Sequence, residues 1–244
     1  MKVQIIGQDT LAAAVYQCCS MHFDTQPADY RDADVIWMCY DTPLSERGEP
    51  DTAWVIEQVG SRLRTLNGPG PMPLILLSSQ MPVGTTADLE AQWPGLDFAY
   101  SPENIRVATA VADFSNQARI VVGTRRPERR GLLEELFAPF TKLVIFTDPE
   151  TAEMVKHALN CFLGLQIAFI NEIAKIAKSV GADMETITVG LRTDARVSMK
   201  APLKAGGPFG GGHLARDIYT LNRIAEASGM SVPIISHITE SNAC

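Results

Sequence analysis

Three groups of residues have types and spacings that could do chemistry. The stretch "KAGGPFGGGHLARD", residues 204–217, carries five glycines (Gly206, Gly207, Gly210, Gly211 and Gly212) and then His213, Arg216 and Asp217. A run without Cβ atoms lets backbone approach a ligand closely and adopt positive φ cheaply. A histidine delivered by such a loop is a candidate proton carrier near neutral pH. Upstream, Lys156 and Asn160 stand four apart in an apolar run, so one helix face presents an ammonium and an amide together. On spacing alone, a lysine snorkelling beside a solvated asparagine is the better account of that pair. Glu103 follows Ser101-Pro102 at the end of a strand-like run, where the active residues of α/β sheets gather, although a lone loop glutamate is ordinarily just solvated.

The first strand-like run ends in "GQDTLA". A dinucleotide turn needs a glycine for the turn, a second for approach of the diphosphate and a third small residue for helix packing. Gly7 and Ala12 meet the first and third needs, while Asp9 puts a side chain and a negative charge at the second. Asp24 is a weak candidate for the ribose-binding acid expected about 20 residues further on. Taken alone, the turn is somewhat better read as the remnant of a dinucleotide fold than as a working NAD site.

The elements that must position these residues follow from the patterning. Short apolar runs, "KVQIIG", "DVIWMCY", "PLILLSS", "DFAYSP", "ARIVVGT" and "KLVIF", alternate with helix-like stretches and are bounded by Gly, Pro, Asp and Ser, which indicates an open parallel α/β sheet. From Thr147 the texture becomes one long helical pattern, apolar on more than one face, with Gly181 as its stop. Such a helix must be covered on several sides by its own chain or by a second subunit. A domain boundary is therefore expected near residue 147, giving a Rossmann-like sheet domain over 1–146 and an all-helical domain over 147–244.

With 244 residues, 46% hydrophobic and 20% charged, the chain can bury a sizeable core. A net charge of −7 argues against a nucleic-acid or anionic-membrane surface and leaves room for a small anionic ligand. The five cysteines, Cys18, Cys19, Cys39, Cys161 and Cys244, form no C-x-x-C pair, which suggests neither a disulfide framework nor a zinc site and fits a reducing cytoplasm. "MKVQIIG" is too short for a signal peptide, and no segment is expected to approach a membrane span.

Several stretches in order resemble the UDP-glucose/GDP-mannose dehydrogenase family of NAD-dependent nucleotide-sugar oxidoreductases. "ADVIWMCYDTPLSERGEPD" is similar to the family's strand ending in a Thr-Pro turn, here Thr42-Pro43. "LLSSQMPVGTT" resembles its Ser-Thr-Val-Pro-x-Gly-Thr segment, with Ser79 standing for the threonine. "YSPENIRVATAVADFSNQARIVVG" resembles its Asn-Pro-Glu-Phe-Leu-Arg stretch and the Asp-Phe and Arg-Ile-Val-x-Gly that follow. "AEMVKHALNCFLGLQIAFINEIAKIAKSVGAD" resembles its long central helix, and "PFGGGHLARD" sits where the family has Phe-Gly-Gly-Ser-Cys-Phe-Pro-Lys-Asp.

The resemblance implies a Rossmann-like domain binding NAD through Gly7, Asp9, Thr10, Leu11, Thr42, Pro43 and Ser79, followed by a helical dimerisation domain. It implies that Lys156 and Asn160 stabilise an oxyanion and place the sugar, that Glu103 acts with water as acid and base, and that Asp217 orients a water or Lys156. An aspartate opening a helix is also an ordinary dipole partner. Arg196, reaching the partner subunit's substrate, and Lys204, Phe209 and Gly210 in the loop are the implied sugar-nucleotide contacts. The family continues into a second Rossmann-like domain; this sequence is expected to lack it, either because the natural protein is truncated or because that domain lies outside the sequence in hand.

His213 falls at the family's catalytic cysteine. There, one hydride transfer gives an aldehyde, the thiolate traps it, and a second transfer gives a thioester that water cleaves. Imidazole is a poor substitute for that nucleophile but a competent general base. Cys161 lies about 100° around the helix from Asn160 and does not replace it. The expectation is a single two-electron oxidation of a sugar nucleotide with His213 moving the proton; the alternative is a diverged or inactive relative that binds a sugar nucleotide or protein partner.

Overall fold

The six apolar runs all form strands, and their period-2 alternation supplies both faces of one sheet. In the computed structural model, residues 1–27, 29–45, 49–66, 72–103, 105–210 and 212–243 are described; Gly211 and Cys244 fall outside them. The sheet order is β1 (Val3–Ile6), β2 (Val35–Met38), β3 (Leu74–Leu77), β4 (Asp97–Tyr100), β5 (Ile120–Gly123) and β6 (Val144–Thr147). Val35, Trp37, Leu74, Leu76, Ile120 and Val122 pack on one side against α1 (Thr10–Cys19), α4 (Ala110–Ser115) and α5 (Arg130–Phe137). Ile36, Met38, Ile75, Leu77 and Val121 pack on the other against α2 (Thr52–Leu63) and α3 (Thr85–Gln92). Burial on both faces is why these strands read as nearly continuous apolar runs.

The expectation of a parallel sheet is corrected at one place. β1 to β4 run parallel, as do β5 and β6, but β4 meets β5 antiparallel through Tyr100 and Gly123. An antiparallel neighbour needs no long crossover connection, and the short helix between them, α4, packs on α1 and, through Phe114, on Trp37 of the sheet. Beyond β1, a second dinucleotide strand is reduced to a single parallel bridge between Lys2 and Asp24.

The second element class is helical: α6 (Pro149–Val180), α7 (Met184–Thr193), α8 (Gly212–Ala227) and α9 (Pro233–Ala243). Two compact units divide within α6, the first ending at Lys156 and the second beginning at His157. As expected, α6 stops at Gly181, whose φ of 72° lies in the left-handed region, and Ala182 N–H returns to Ala177 O at 2.9 Å. Contrary to the expectation that no segment approaches a membrane span, α6 is by length and composition long and apolar enough to cross one. Within the second unit, its Cys161, Ala168, Ile170 and Ala177 are buried, while Phe162, Phe169 and Ile176 are exposed.

Gly123 closes β5 where only a hydrogen fits: a Cβ there would lie 2.5 Å from Pro149 Cα and 2.7 Å from Asp148 O. Both are backbone atoms and cannot swing away. Gly123→Ala is expected to cost about 1–3 kcal/mol in urea denaturation, the usual range for forced overpacking; unchanged stability would show that β6 and the start of α6 yield freely.

Candidate functional site

The dinucleotide turn keeps its shape. A Cβ on Gly7 would lie 2.3 Å from Cys39 O and 2.6 Å from Ala12 Cβ, so the glycine and the small residue five positions on pack β1, β2 and α1 together. Asp9 is the N-cap of α1: its Oδ1 accepts Ala12 N–H at 3.0 Å, and its Oδ2 accepts Asp41 N–H at 2.5 Å. Thr10 opens the helix, and Leu11 turns its side chain into the core. The amides of Thr10 and Leu11 have no acceptor among the described residues. A cavity of about 370 Å³ lies beside the turn, walled by Tyr30, Tyr40, Trp54 and Arg62. The turn, helix N-terminus and cavity therefore fit a dinucleotide, whose diphosphate would face the open amides and whose base would face the aromatic wall. Asp24 does not line this cavity; its carboxylate accepts Gln26 N–H at 3.1 Å.

The remaining cofactor candidates sit at the carboxyl ends of β2 and β3. Thr42 is buried and donates its hydroxyl to Gln80 O at 2.5 Å. Pro43 O accepts Asp51 N–H at 2.8 Å, and Asp51 caps α2. Ser79 Oγ accepts Tyr40 N–H at 3.1 Å, so its hydroxyl ties the two strand ends together. Register on Pro82-x-Gly84-Thr85 places Gln80, rather than Ser79, opposite the family's threonine. Gln80 is buried, and neither side-chain amide atom has a partner among the described residues.

Lys156 and Glu103 are brought together. Lys156 Nζ donates to Glu103 Oε1 at 2.9 Å and to Glu103 O at 2.6 Å, with the two side chains 6% and 14% exposed. This buried pair replaces the snorkelling lysine and solvated glutamate. Its third N–H has no acceptor among the described residues.

One turn earlier, sequence reading missed Glu153. The side chain is fully buried, and its carboxylate accepts Gly84 N–H at 2.6 Å, Thr86 N–H at 2.9 Å and the Thr86 hydroxyl at 2.6 Å. The carboxylate therefore caps α3, which starts after Gly84 at φ 99°. Burial pushes the Glu153 carboxyl above its ordinary value, against the lowering effect of these donors.

In the second unit Asp217 is fully buried and receives Asn160 Nδ2 at 2.5 Å on one oxygen and shares a 2.5 Å hydrogen bond with His157 Nδ1 on the other. His157 was the other omission; its signal was its place between Lys156 and Asn160 in "KHALN". Asp217 thus fixes Asn160 and His157, and does more than balance a helix dipole. His213 is exposed at the start of α8, and its Nδ1 accepts a bond from Arg216 Nη2 at 2.9 Å. The lone pair that would take a proton is engaged. Burial, and then the charge of Asp217, raise the pKa of the Cys161 thiol, which keeps it a poor nucleophile.

The loop contacts separate. Arg196 is 89% exposed at its side chain and forked onto Asp194, two residues away; Lys204 is exposed. Phe209 packs on the core of the second unit, and its backbone is clamped by Asn242 at 2.8 and 3.1 Å. Gly206, Gly207 and Gly210 have no positive φ, and a Cβ on any of them would meet nothing within 4 Å. Among the described residues, no packing contact requires these glycines.

Comparison with known proteins covers both units. Residues 2–141 match the NAD binding domain, and residues 150–244 the central domain, of the UDP-glucose/GDP-mannose dehydrogenase family. UDP-glucose 6-dehydrogenase TuaD of Bacillus subtilis is 34% identical over 223 residues, covering 88% of this chain and 48% of that protein. The UDP-glucose 6-dehydrogenase of Rickettsia typhi is 33% identical, covering 88% and 50%. The structure of a UDP-glucose dehydrogenase from Pyrobaculum islandicum superposes with a TM-score of 0.81 at 26% identity, over 92% of this chain and 54% of that one. The chain spans about half the length of the curated relatives it matches.

Glu153 generates a pH dependence. Its folded pKa lies above the ordinary 4.5, so between those values the native state keeps a proton that the unfolded chain has released. That contribution is full below the unfolded value and is lost as pH rises through the folded one. Urea denaturation of the wild type and Glu153→Gln from about pH 4 to 7 is expected to give a stability difference that shrinks, or changes sign against the wild type, as pH rises. A difference independent of pH would contradict this.

Proposed function

Because the chain belongs to the UDP-glucose/GDP-mannose dehydrogenase family, we propose that it oxidises a sugar nucleotide with NAD and stops after one two-electron step. NAD is the cofactor of the family's first domain, and when bound it accepts the hydride. The alcohol carbon gives up that hydride, the alcohol oxygen gives up a proton, and the product is an aldehyde. The observation that carries the reading is the open N–H of buried Lys156. A donor held in place by two bonds to Glu103 suits developing negative charge on the alcohol oxygen, because it needs no reorganisation at the moment of reaction.

His213 takes the proton at Nδ1 once Arg216 releases it, and Asn160, locked by Asp217, holds a sugar hydroxyl. No thiol stands at position 213 to trap the aldehyde, and the raised pKa of Cys161 keeps it from acting in its place. That a Cβ on Gly206, Gly207 or Gly210 would meet nothing within 4 Å supports a loop open to close approach of the sugar. Free thiols at Cys18, Cys19, Cys39 and Cys161 support a reducing, cytoplasmic setting.

The same reading makes the working form a homodimer. On α6, Phe162, Phe169 and Ile176 follow one another at seven-residue spacing and are 55%, 47% and 59% exposed. An apolar seam at that period suits a second copy of the helix. Light scattering is expected to give a dimer at micromolar concentration, with Phe169→Glu monomeric; a monomeric wild type would count against it.

Incubation with NAD and a panel of UDP- and GDP-sugars is expected to produce one NADH per sugar consumed and an aldehyde that hydroxylamine traps. His213→Ala should lower turnover by roughly 100-fold or more, the usual contribution of a general base. Two NADH per sugar with an acid product would overturn the one-step reading, and equal turnover by His213→Ala would remove His213 from the reaction.

A further inference from the structure

Asp9 occupies the position in the first turn where a diphosphate needs bare backbone. Both of its carboxylate oxygens are engaged, one by the Ala12 amide of α1 and one by the Asp41 amide after β2. An anion at a helix N-terminus is favoured by the aligned amide dipoles, and here the chain supplies that anion itself. The carboxylate is tethered at two points from two different elements, so it does not move aside without breaking both bonds. Yet the amides of Thr10 and Leu11 stay open beside it, and the cavity walled by Tyr30, Tyr40, Trp54 and Arg62 begins at the same turn. A ligand can enter; its phosphates must then meet a fixed negative charge.

We propose that Asp9 is a built-in competitor for the cofactor's diphosphate: a dinucleotide binds only by displacing the Asp9 carboxylate from α1, and that displacement sets its affinity. This rests on the NAD reading above and adds the residue that tunes it. The competition concerns charge at the turn alone. A ligand that fills the aromatic part of the cavity without phosphates does not encounter it.

The test compares wild type, Asp9→Gly and Asp9→Asn for binding of NADH by nicotinamide fluorescence, and of ADP and adenosine by calorimetry. Asp9→Gly is expected to bind NADH and ADP at least tenfold tighter than wild type, with adenosine changed less than twofold. Asp9→Asn, which keeps an N-cap and loses the charge, should fall between. Without ligand, Asp9→Gly should melt below wild type and Asp9→Asn close to it, which shows that the bonds to Ala12 and Asp41 are made in solution. If Asp9→Gly binds ADP and NADH no tighter than wild type, the proposal is overturned, and tight NADH binding by that same wild type would leave the NAD reading standing. If Asp9→Gly gains ADP affinity while no sugar nucleotide yields NADH with any variant, the competitor role holds and the oxidoreductase reading falls.

Discussion

Amide donors at helix N-termini along the carboxyl edge of the sheet call for acceptors, and in the first unit the chain's own carboxylates take up several of them, leaving the Thr10 and Leu11 amides open. Asp9 caps α1, Asp51 caps α2, and Glu153 reaches α3 from α6, across nearly 70 residues of sequence. In a doubly wound fold this is the edge where ligands bind, so each cap also decides which charges a ligand will meet. Asp51 sits in a loop and behaves as an ordinary cap. Asp9 and Glu153 do more, since the first bridges to the loop after β2 and the second anchors the start of α6 to α3. The position of Lys156, one turn further along α6, follows from that anchor.

Helix α6 carries a row of polar groups through an apolar surface, and each is fixed by a different part of the chain. Glu153 is held by α3, Lys156 by Glu103, and His157 and Asn160 by Asp217. Burying such groups is costly unless each finds a partner, so the register of the helix admits no slip. A one-residue rotation would turn each of these groups away from its partner. Lys156 and Asn160, the candidate site residues on this helix, are therefore also among its folding determinants.

The strands were legible because β-branched and aromatic residues alternate between Gly, Pro and Asp boundaries, and the stop of α6 was legible in Gly181. The direction of β5 was not, because a continuous apolar run looks the same in either sense. Asp9 was half legible: its charge and its distance to Ala12 can be read locally, whereas its bond to Asp41 depends on β2 lying beside β1. Glu153 and His157 were hidden in an apolar helical pattern, where burial makes a polar residue look incidental until its distant partner is placed. Phe209 moved the other way: the loop context suggested a ligand contact, but its ring fills the core beside Gly164 and Ile218.

His213 and the glycines before it carry opposite implications. Gly206, Gly207 and Gly210 have no positive φ, and a Cβ on any of them meets nothing within 4 Å, so no φ or packing requirement among the described residues accounts for their missing side chains. His213 is bonded to Arg216 through the nitrogen that a base would use, so under the proposed reaction proton transfer is gated by a side chain three residues away on the same helix. A thiolate at this position would need no such release, since its nucleophilicity depends on charge. On the proposed one-step reading, an imidazole held by an arginine in place of that thiolate exchanges a covalent step for a proton step that runs once Arg216 releases Nδ1. An anionic ligand arriving at the loop is the kind of partner a guanidinium prefers, which would couple occupancy of the site to release of the base.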